Sequence, residues 1–229
     1  MNPQTETPTR RHYDLLVFDW DGTLMDSTAA IVYSLQSSFR DAGLPVPSAP
    51  ACRFVIGYAL REAFLHLNPE VSEDELRRLV ESYRHHYVSG EHQLVLFEGV
   101  LEALPKLRDA GYQMAVATGK ARAGLNRMLE LTGIGEFFDV TRTADEAFSK
   151  PHPAMLEYIL DYTTVDPKRT LMIGDTTHDL QLAINAGTHG VALTHGAHPL
   201  EELLSLQPLA HFDDFPALTR WLLQEAVDG

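Results

Sequence analysis

Apolar positions along this chain follow two periods, and the points where the period changes divide it into segments. Tyr13 to Phe18 is a short continuous apolar run, the pattern of a strand buried on both faces, and it ends in Asp19-Trp20-Asp21-Gly22-Thr23-Leu24. Asp26 to Ala42 then repeats Ile31, Leu35 and Phe39 at helical spacing, and Gly43 closes it. Pro45, Pro47 and Pro50 predict a loop. Phe54 to Leu67 carries a turn at Gly57 and a short helix, Ala59 to His66. Ser72-Glu73-Asp74-Glu75 reads as a capping box that opens a helix running to about Ser89. From Asp26 to Leu96 there is no strand signal.

A regular alternation begins at Gly99. Helices are predicted at Val100–Ala110, Ala121–Thr132, Pro153–Tyr162, His178–Ala186, Leu200–Leu206 and Phe215–Ala226. Strands are predicted at Tyr112–Ala117, Phe137–Val140, Thr170–Ile173, Gly190–Leu193 and Ala210–Phe212. Strands separated by helices of this length imply parallel βαβ units. The expected fold is α/β: a doubly wound, Rossmann-like parallel sheet built from residues 1–25 and 97–229, with an all-helical segment, 26–96, inserted after the first strand. An insertion there overhangs the carboxyl edge of the sheet, where ligands bind in open α/β folds.

Composition narrows the function classes. The 229 residues are 45% hydrophobic and 22% charged, ordinary for a globular protein. A net charge of -14 argues against nucleic acid and anionic membrane surfaces as partners. It leaves room for a small phosphorylated metabolite met by a local cation. No apolar run reaches the ~18 residues of a membrane span. The lone Cys52 permits no intramolecular disulfide. A cytoplasmic monomer or homodimer is expected, with residues 1–12 as a frayed polar tail.

The chemistry-bearing residues sit at strand ends. Asp19 and Asp21 are two apart on a strand and leave on one face. Gly22 and Thr23 break the strand and offer backbone N–H groups. Two carboxylates beside such donors suit a metal and phosphate site, although a D-x-D-G alone also describes an Asx-rich turn. Thr118 alone reads equally as a helix N-cap, Lys150 as a solvated lysine, Gly174-Asp175 as a turn and Asp179 as a first-turn acid. A parallel sheet brings all four strand ends to one edge, so their conjunction points to a single constellation.

Taken together, Asp19-x-Asp21-Gly22-Thr23-Leu24, Thr118-Gly119-Lys120, Lys150-Pro151 and Gly174-Asp175-x-x-x-Asp179 resemble the haloacid dehalogenase superfamily of phosphohydrolases from Tyr13 onward. Ile56-Gly57-Tyr58-Ala59-Leu60-Arg61-Glu62 and Ser149-Lys150-Pro151-His152-Pro153 are similar to its phosphoglycolate phosphatase-like branch, whose helical cap follows the first motif. The resemblance implies a phosphatase acting through an aspartyl-phosphate. Asp19 is then the nucleophile and Asp21 the general acid and base. Mg²⁺ is held by Asp19, the Asp21 carbonyl and Asp175, while Thr118, Gly119, Gly22 and Thr23 meet phosphate oxygens. Lys150 offsets negative charge, and Asp179 orients Lys150 or a metal-bound water.

The same resemblance weighs other chemistries. Asp21 argues against a dehalogenase proper, which has no acid two residues past the nucleophile. Residues 26–97 contain no lysine, which argues against a Schiff-base phosphonate hydrolase. A phosphosugar mutase, a pyrophosphatase and a non-catalytic binding protein remain as alternatives. Arg61, beside the Gly57 turn, is the leading candidate to meet a second anionic group on the substrate, against the alternative of a surface arginine. Trp20 is bulky and is expected to narrow the cleft. His85, His86, His92, His195 and His198 are expected to be solvated surface residues. His152 and His178 flank motif positions and are candidates for substrate contact. Glu98 stands where that branch commonly has proline.

Overall fold

The computed structural model describes residues 12–228; of the tail expected at 1–12, residues 1–11 lie outside the described residues. Six parallel strands form one sheet: β1 (Leu15–Phe18), β2 (Gln113–Thr118), β3 (Val140–Thr143), β4 (Thr170–Gly174), β5 (His189–Leu193) and β6 (Ala210–Phe212). Their spatial order is β3-β2-β1-β4-β5-β6. Phe18 lies level with Val116 of β2 on one side and Ile173 of β4 on the other, so the three carboxyl ends open together. The order reverses beside β1, which makes this edge the topological switch point of the sheet.

Between β1 and β2 run α1 (Thr28–Asp41), α2 (Ala49–Phe54), α3 (Leu60–Leu67), α4 (Glu73–Gly90) and α5 (Val100–Asp109). The later crossovers are α6 (Arg122–Thr132), α7 (Ala154–Thr163), α8 (Thr177–Ala186) and α9 (Leu200–Leu204), and α10 (Phe215–Asp228) follows β6. Every residue of β1 and β4 is buried, as helices on both faces require. Leu16 and Phe18 pack with Leu104 and Leu107 of α5 and Leu218 and Leu222 of α10. Leu15 and Val17 face the other way, onto Met155 and Ile159 of α7 and Leu182 of α8. Each such side chain, fully buried, stabilises the fold by roughly 1.5–3 kcal/mol.

Helices α1 to α4 enclose an apolar cluster of their own, with Ile31, Leu35 and Phe39 of α1 against Phe64 of α3 and Leu76 and Leu79 of α4. The chain leaves and re-enters the sheet region through paired segments. Met25 bridges to Leu96, the Phe97 N–H donates to the Leu24 carbonyl at 2.9 Å, and the Asp26 N–H donates to the Val95 carbonyl at 2.9 Å. Among the described residues no helix is long and apolar enough to cross a membrane.

Three details depart from expectation. The proline-rich loop contains a helix, α2: the Ser48 hydroxyl accepts the Ala51 N–H, and Pro50 sits in the first turn, where a missing N–H costs nothing. Strand β3 begins at Val140 rather than Phe137, because 135–137 form a 3₁₀ turn and the Asp139 carboxylate takes the Met114 N–H at 3.0 Å. Trp20 does not narrow the cleft. It continues the alternation of β1 onto the face opposite Asp19 and Asp21, and it is wholly buried in the cluster with Phe18 and Leu24.

Candidate active site

Lys150 is the hub of the buried edge. Its Nζ lies 2.9 Å from Asp19 Oδ1 and 2.6 Å from Asp179 Oδ1, with all three side chains excluded from solvent. Asp179 is oriented by the capping box that opens α8: its Oδ2 accepts the Thr176 N–H at 3.1 Å and the Thr176 hydroxyl at 2.7 Å. Both Asp179 oxygens are therefore engaged within the protein. Asp175, at the end of β4, accepts the Thr23 hydroxyl at 2.6 Å and the Ala197 N–H at 2.8 Å. Asp19 Oδ1 also accepts the Trp20 N–H at 2.7 Å, whereas Asp19 Oδ2 is buried without a hydrogen-bond partner.

Asp21 faces a different set of groups. Its Oδ1 accepts the Ser27 hydroxyl at 2.7 Å and the Tyr87 hydroxyl at 3.4 Å, and its Oδ2 lies 3.0 Å from Lys120 Nζ. Lys120 also donates to the Tyr87 hydroxyl at 3.0 Å. The two acids of the first motif thus belong to separate charge clusters, Asp19 with the buried Lys150 and Asp21 with Lys120, and both border one cavity.

The Lys150 cluster carries three carboxylates, Asp19, Asp175 and Asp179, against one ammonium. Burial, only partly offset by Lys150 and reinforced by Asp179, pushes the Asp19 carboxyl up to about 7. Burial, followed by the charges of Asp179 and Asp19, holds Asp175 well above the ordinary carboxylate range. Burial alone would lower Lys150, but Asp179 and Asp19 outweigh it and keep the amine above its usual value. With all three carboxylates ionised the cluster would carry two negative charges beyond the Lys150 ammonium, and among the described residues Asp19 Oδ2 has no hydrogen-bond partner. Oxygens of Asp19, Asp175 and Asp179 lie within 4.8 Å of one another. This all-oxygen donor set and its charge fit a hard divalent cation. Gly22 and Gly196 keep the approach open, since a Cβ at either would overlap the Asp175 carboxylate.

The remaining sequence candidates divide. Thr118 is buried at the end of β2, and its hydroxyl accepts the Lys120 N–H at 3.2 Å. Gly119 lies against the turn before α3, where a Cβ would overlap the Gly57 carbonyl oxygen. The N–H groups of Gly22 and Thr23, expected to face a ligand, are instead spent on their own turn, donating to the Met25 and Trp20 carbonyls. Arg61 lies along the cavity with its guanidinium paired to Glu73 in an exposed ion pair.

Several residues gain roles that their local sequence did not signal. His178 and His198 both place Nε2 on the Phe54 carbonyl, at 2.7 and 3.1 Å, and His178 stacks on Tyr58 with centroids 4.0 Å apart. Burial pushes the His178 imidazole down to about 4. These two histidines thus join the core to α2, and His198 is 3% exposed rather than solvated. His195 stacks on Phe97 at 3.9 Å. His152 accepts the Ala154 N–H at the start of α7. Lys120 and Tyr87 are the additions nearest the chemistry. The Thr118-Gly119-Lys120 run contained the first, and nothing local marked the second.

Residues 16–193 match the haloacid dehalogenase-like hydrolase family, and the chain belongs to it. Among its relatives, the "Probable phosphatase IndB" of Dickeya dadantii is 35% identical over 208 residues, covering 88% of this chain and 90% of that protein. The pyrophosphatase PpaX of Bacillus velezensis is 33% identical over 198 residues, covering 81% and 86%. The phosphoglycolate phosphatase of Vibrio vulnificus is 30% identical over 210 residues, covering 87% and 92%. The expectation of a hydrolytic enzyme of this superfamily is met.

Proposed function

We propose that the chain is a Mg²⁺-dependent phosphatase that hydrolyses a small phosphate monoester through an aspartyl-phosphate on Asp19. The observation that carries this reading is the state of Asp19. One oxygen is fixed by Lys150 and the Trp20 N–H, the other is buried and unpartnered, and Asp21 stands on the same face. An Asp19 oxygen attacks phosphorus in line. As the Asp19–phosphorus bond forms, the ester P–O bond breaks and the leaving alkoxide takes a proton from Asp21. Asp21 then accepts a proton from the attacking water, the Asp19–phosphorus bond breaks, and inorganic phosphate leaves.

Thr118 and Gly119 hold non-bridging oxygens, and Lys150 offsets charge on both the nucleophile and the phosphoryl group. Asp19, Asp175 and the Asp21 carbonyl would hold the Mg²⁺, which supplies the charge that lets a carboxylate approach a phosphate dianion. Residues 26–96 act as a cap domain over a core of 1–25 and 97–229. Asp179 acts as a positioning residue for Lys150.

Phosphate release from a panel of phosphate esters and pyrophosphate, with Mg²⁺ and with chelator, tests this reading on wild type and Asp19→Asn. Release that needs both the metal and Asp19 is the expected result. Release that survives Asp19→Asn overturns the mechanism. Hydrolysis confined to pyrophosphate would favour the activity named for the Bacillus relative.

A further inference from the structure

A cavity of about 550 Å³ runs from Asp19, Asp21 and Thr118 into the helical segment, a volume typical of sites for drug-sized ligands. Its helical wall is apolar. Ile31 and Leu35 of α1, Ile56, and Val80 of α4 face it, and the rings of Tyr83 and Tyr87 stack beside them with centroids 5.7 Å and planes 13° apart. A carboxylate-bearing leaving group would need a cation along this wall, and three of the four cations that border the cavity are engaged. Lys120 pairs with Asp21 at 3.0 Å, Arg127 pairs with Glu91 at 2.9 Å, and Arg61 pairs with Glu73. Arg84 also borders the cavity but is exposed to solvent, which keeps its guanidinium hydrated.

We infer that this site selects phosphate monoesters of a bulky, flat, apolar or aromatic alcohol, seated against Tyr83 and the aliphatic wall, over those of a two-carbon acid. The inference rests on the phosphatase reading above and adds the class of leaving group to it. A two-carbon leaving group would leave most of the apolar wall uncovered. A ring system covers more of it, over Ile31, Leu35, Ile56 and Val80 and beside Tyr83. The reaction is the hydrolysis already written: the ester P–O bond breaks, and the alcohol departs with the proton from Asp21.

The test uses the full chain with Mg²⁺ and three alkyl esters of comparable leaving-group basicity: 2-(1-naphthyl)ethyl phosphate, ethyl phosphate and 2-phosphoglycolate. The expected kcat/KM for the naphthylethyl ester exceeds each of the others by at least about tenfold, since even one methylene in an apolar pocket is worth that much. Val80→Asp, which places a carboxylate on the half-buried wall, is expected to cut that preference by about tenfold. Because this substitution can also lower stability, a second measurement uses wild type alone: 2-(1-naphthyl)ethanol inhibits competitively at concentrations where glycolate does not. A kcat/KM for 2-phosphoglycolate equal to or above that of the naphthylethyl ester overturns the inference and leaves the phosphatase reading standing. Release from none of the three esters, with Asp19-dependent release from another ester of the panel, overturns the inference alone; release from no ester at all overturns the phosphatase reading, and this inference with it.

Discussion

Lys120 Nζ lies 3.0 Å from Asp21 Oδ2 and sits over the Tyr87 ring, 4.5 Å from its centroid. One ammonium therefore joins the loop after β2, the acid after β1 and helix α4. Under the proposed mechanism Asp21 presents its carboxyl to a leaving oxygen, and this contact limits its rotation. Lys120→Met is expected to lower kcat by about tenfold to a hundredfold, the scale of a small misplacement of a reacting group, with a smaller change in KM. Steady-state kinetics separate the two parameters. A raised KM with unchanged kcat would assign Lys120 to substrate binding instead.

The two motif acids predict different losses. Under the proposed mechanism Asp19→Asn removes the nucleophile, so turnover is expected to fall to background. Asp21→Asn keeps the nucleophile and removes the acid, with an expected drop in kcat of roughly 10²–10⁴. Near-UV circular dichroism should show both variants folded. Equal losses in the two variants would contradict separate roles.

Cation binding has a readout independent of turnover. At a Mg²⁺ concentration about 100 times its Kd, wild type should gain about 2.7 kcal/mol of stability by mass action. Asp175→Asn removes a carboxylate that the buried charge excess depends on, and its melting temperature should hardly respond to Mg²⁺. Differential scanning calorimetry with and without chelator measures this. An equal Mg²⁺ response in the variant would place the cation elsewhere.

Seating of the helical segment on the core rests on a close backbone approach. Gly119 admits the Gly57 carbonyl oxygen, and the Ala59 N–H donates to the Ser149 hydroxyl at 2.9 Å. Gly119→Ala should displace that turn and lower kcat/KM by more than about tenfold. The melting transition should stay close to that of wild type, because the apolar clusters on both faces of the sheet and within α1 to α4 remain intact. Wild-type kinetics in Gly119→Ala would show that the approach is not needed for turnover.

The loop that presents Lys150 is tied by Glu146, which receives Arg122 Nε at 2.9 Å and Nη2 at 2.7 Å. Hydrogen bonds from Arg122, opposed by burial and aided by its charge, hold the Glu146 carboxyl down to about 2 from 4.5. A lowered folded value means that this stabilisation is complete above pH 4.5 and is lost as pH falls through about 2. Arg122→Ala should therefore lower the urea midpoint at pH 7, and the gap from wild type should close between pH 4.5 and pH 2. A gap that stays constant over that range would show that the pair contributes through packing alone.

Legible in the chain alone were the parallel α/β order, the helical insertion, the positions of Asp19, Asp21, Thr118 and Asp175 at strand ends, and Lys150 in the loop after β3. These follow from local regularities. Apolar runs set the strands, the two-residue repeat puts Asp19 and Asp21 on one face, and parallel crossovers gather carboxyl ends at one edge. The same repeat sends Trp20 into the core. Ser48 with Pro50 in the first turn was likewise a local signal for α2, one that the prolines around it obscured.

The partners of those residues were decided only by the tertiary structure. Whether the Gly22 and Thr23 N–H groups face a ligand depends on how their own turn closes, and it closes on Met25 and Trp20. That Asp21 meets Lys120 depends on how the loops after β1 and β2 come together, and that it meets Tyr87, and that His178 and His198 grip the Phe54 carbonyl, depends on where the helical segment seats on the sheet. Periodicity places a side chain on a face of its own element. The atom that it meets across a gap of a few ångströms is set by packing between elements far apart in the chain, and no local pattern records that distance.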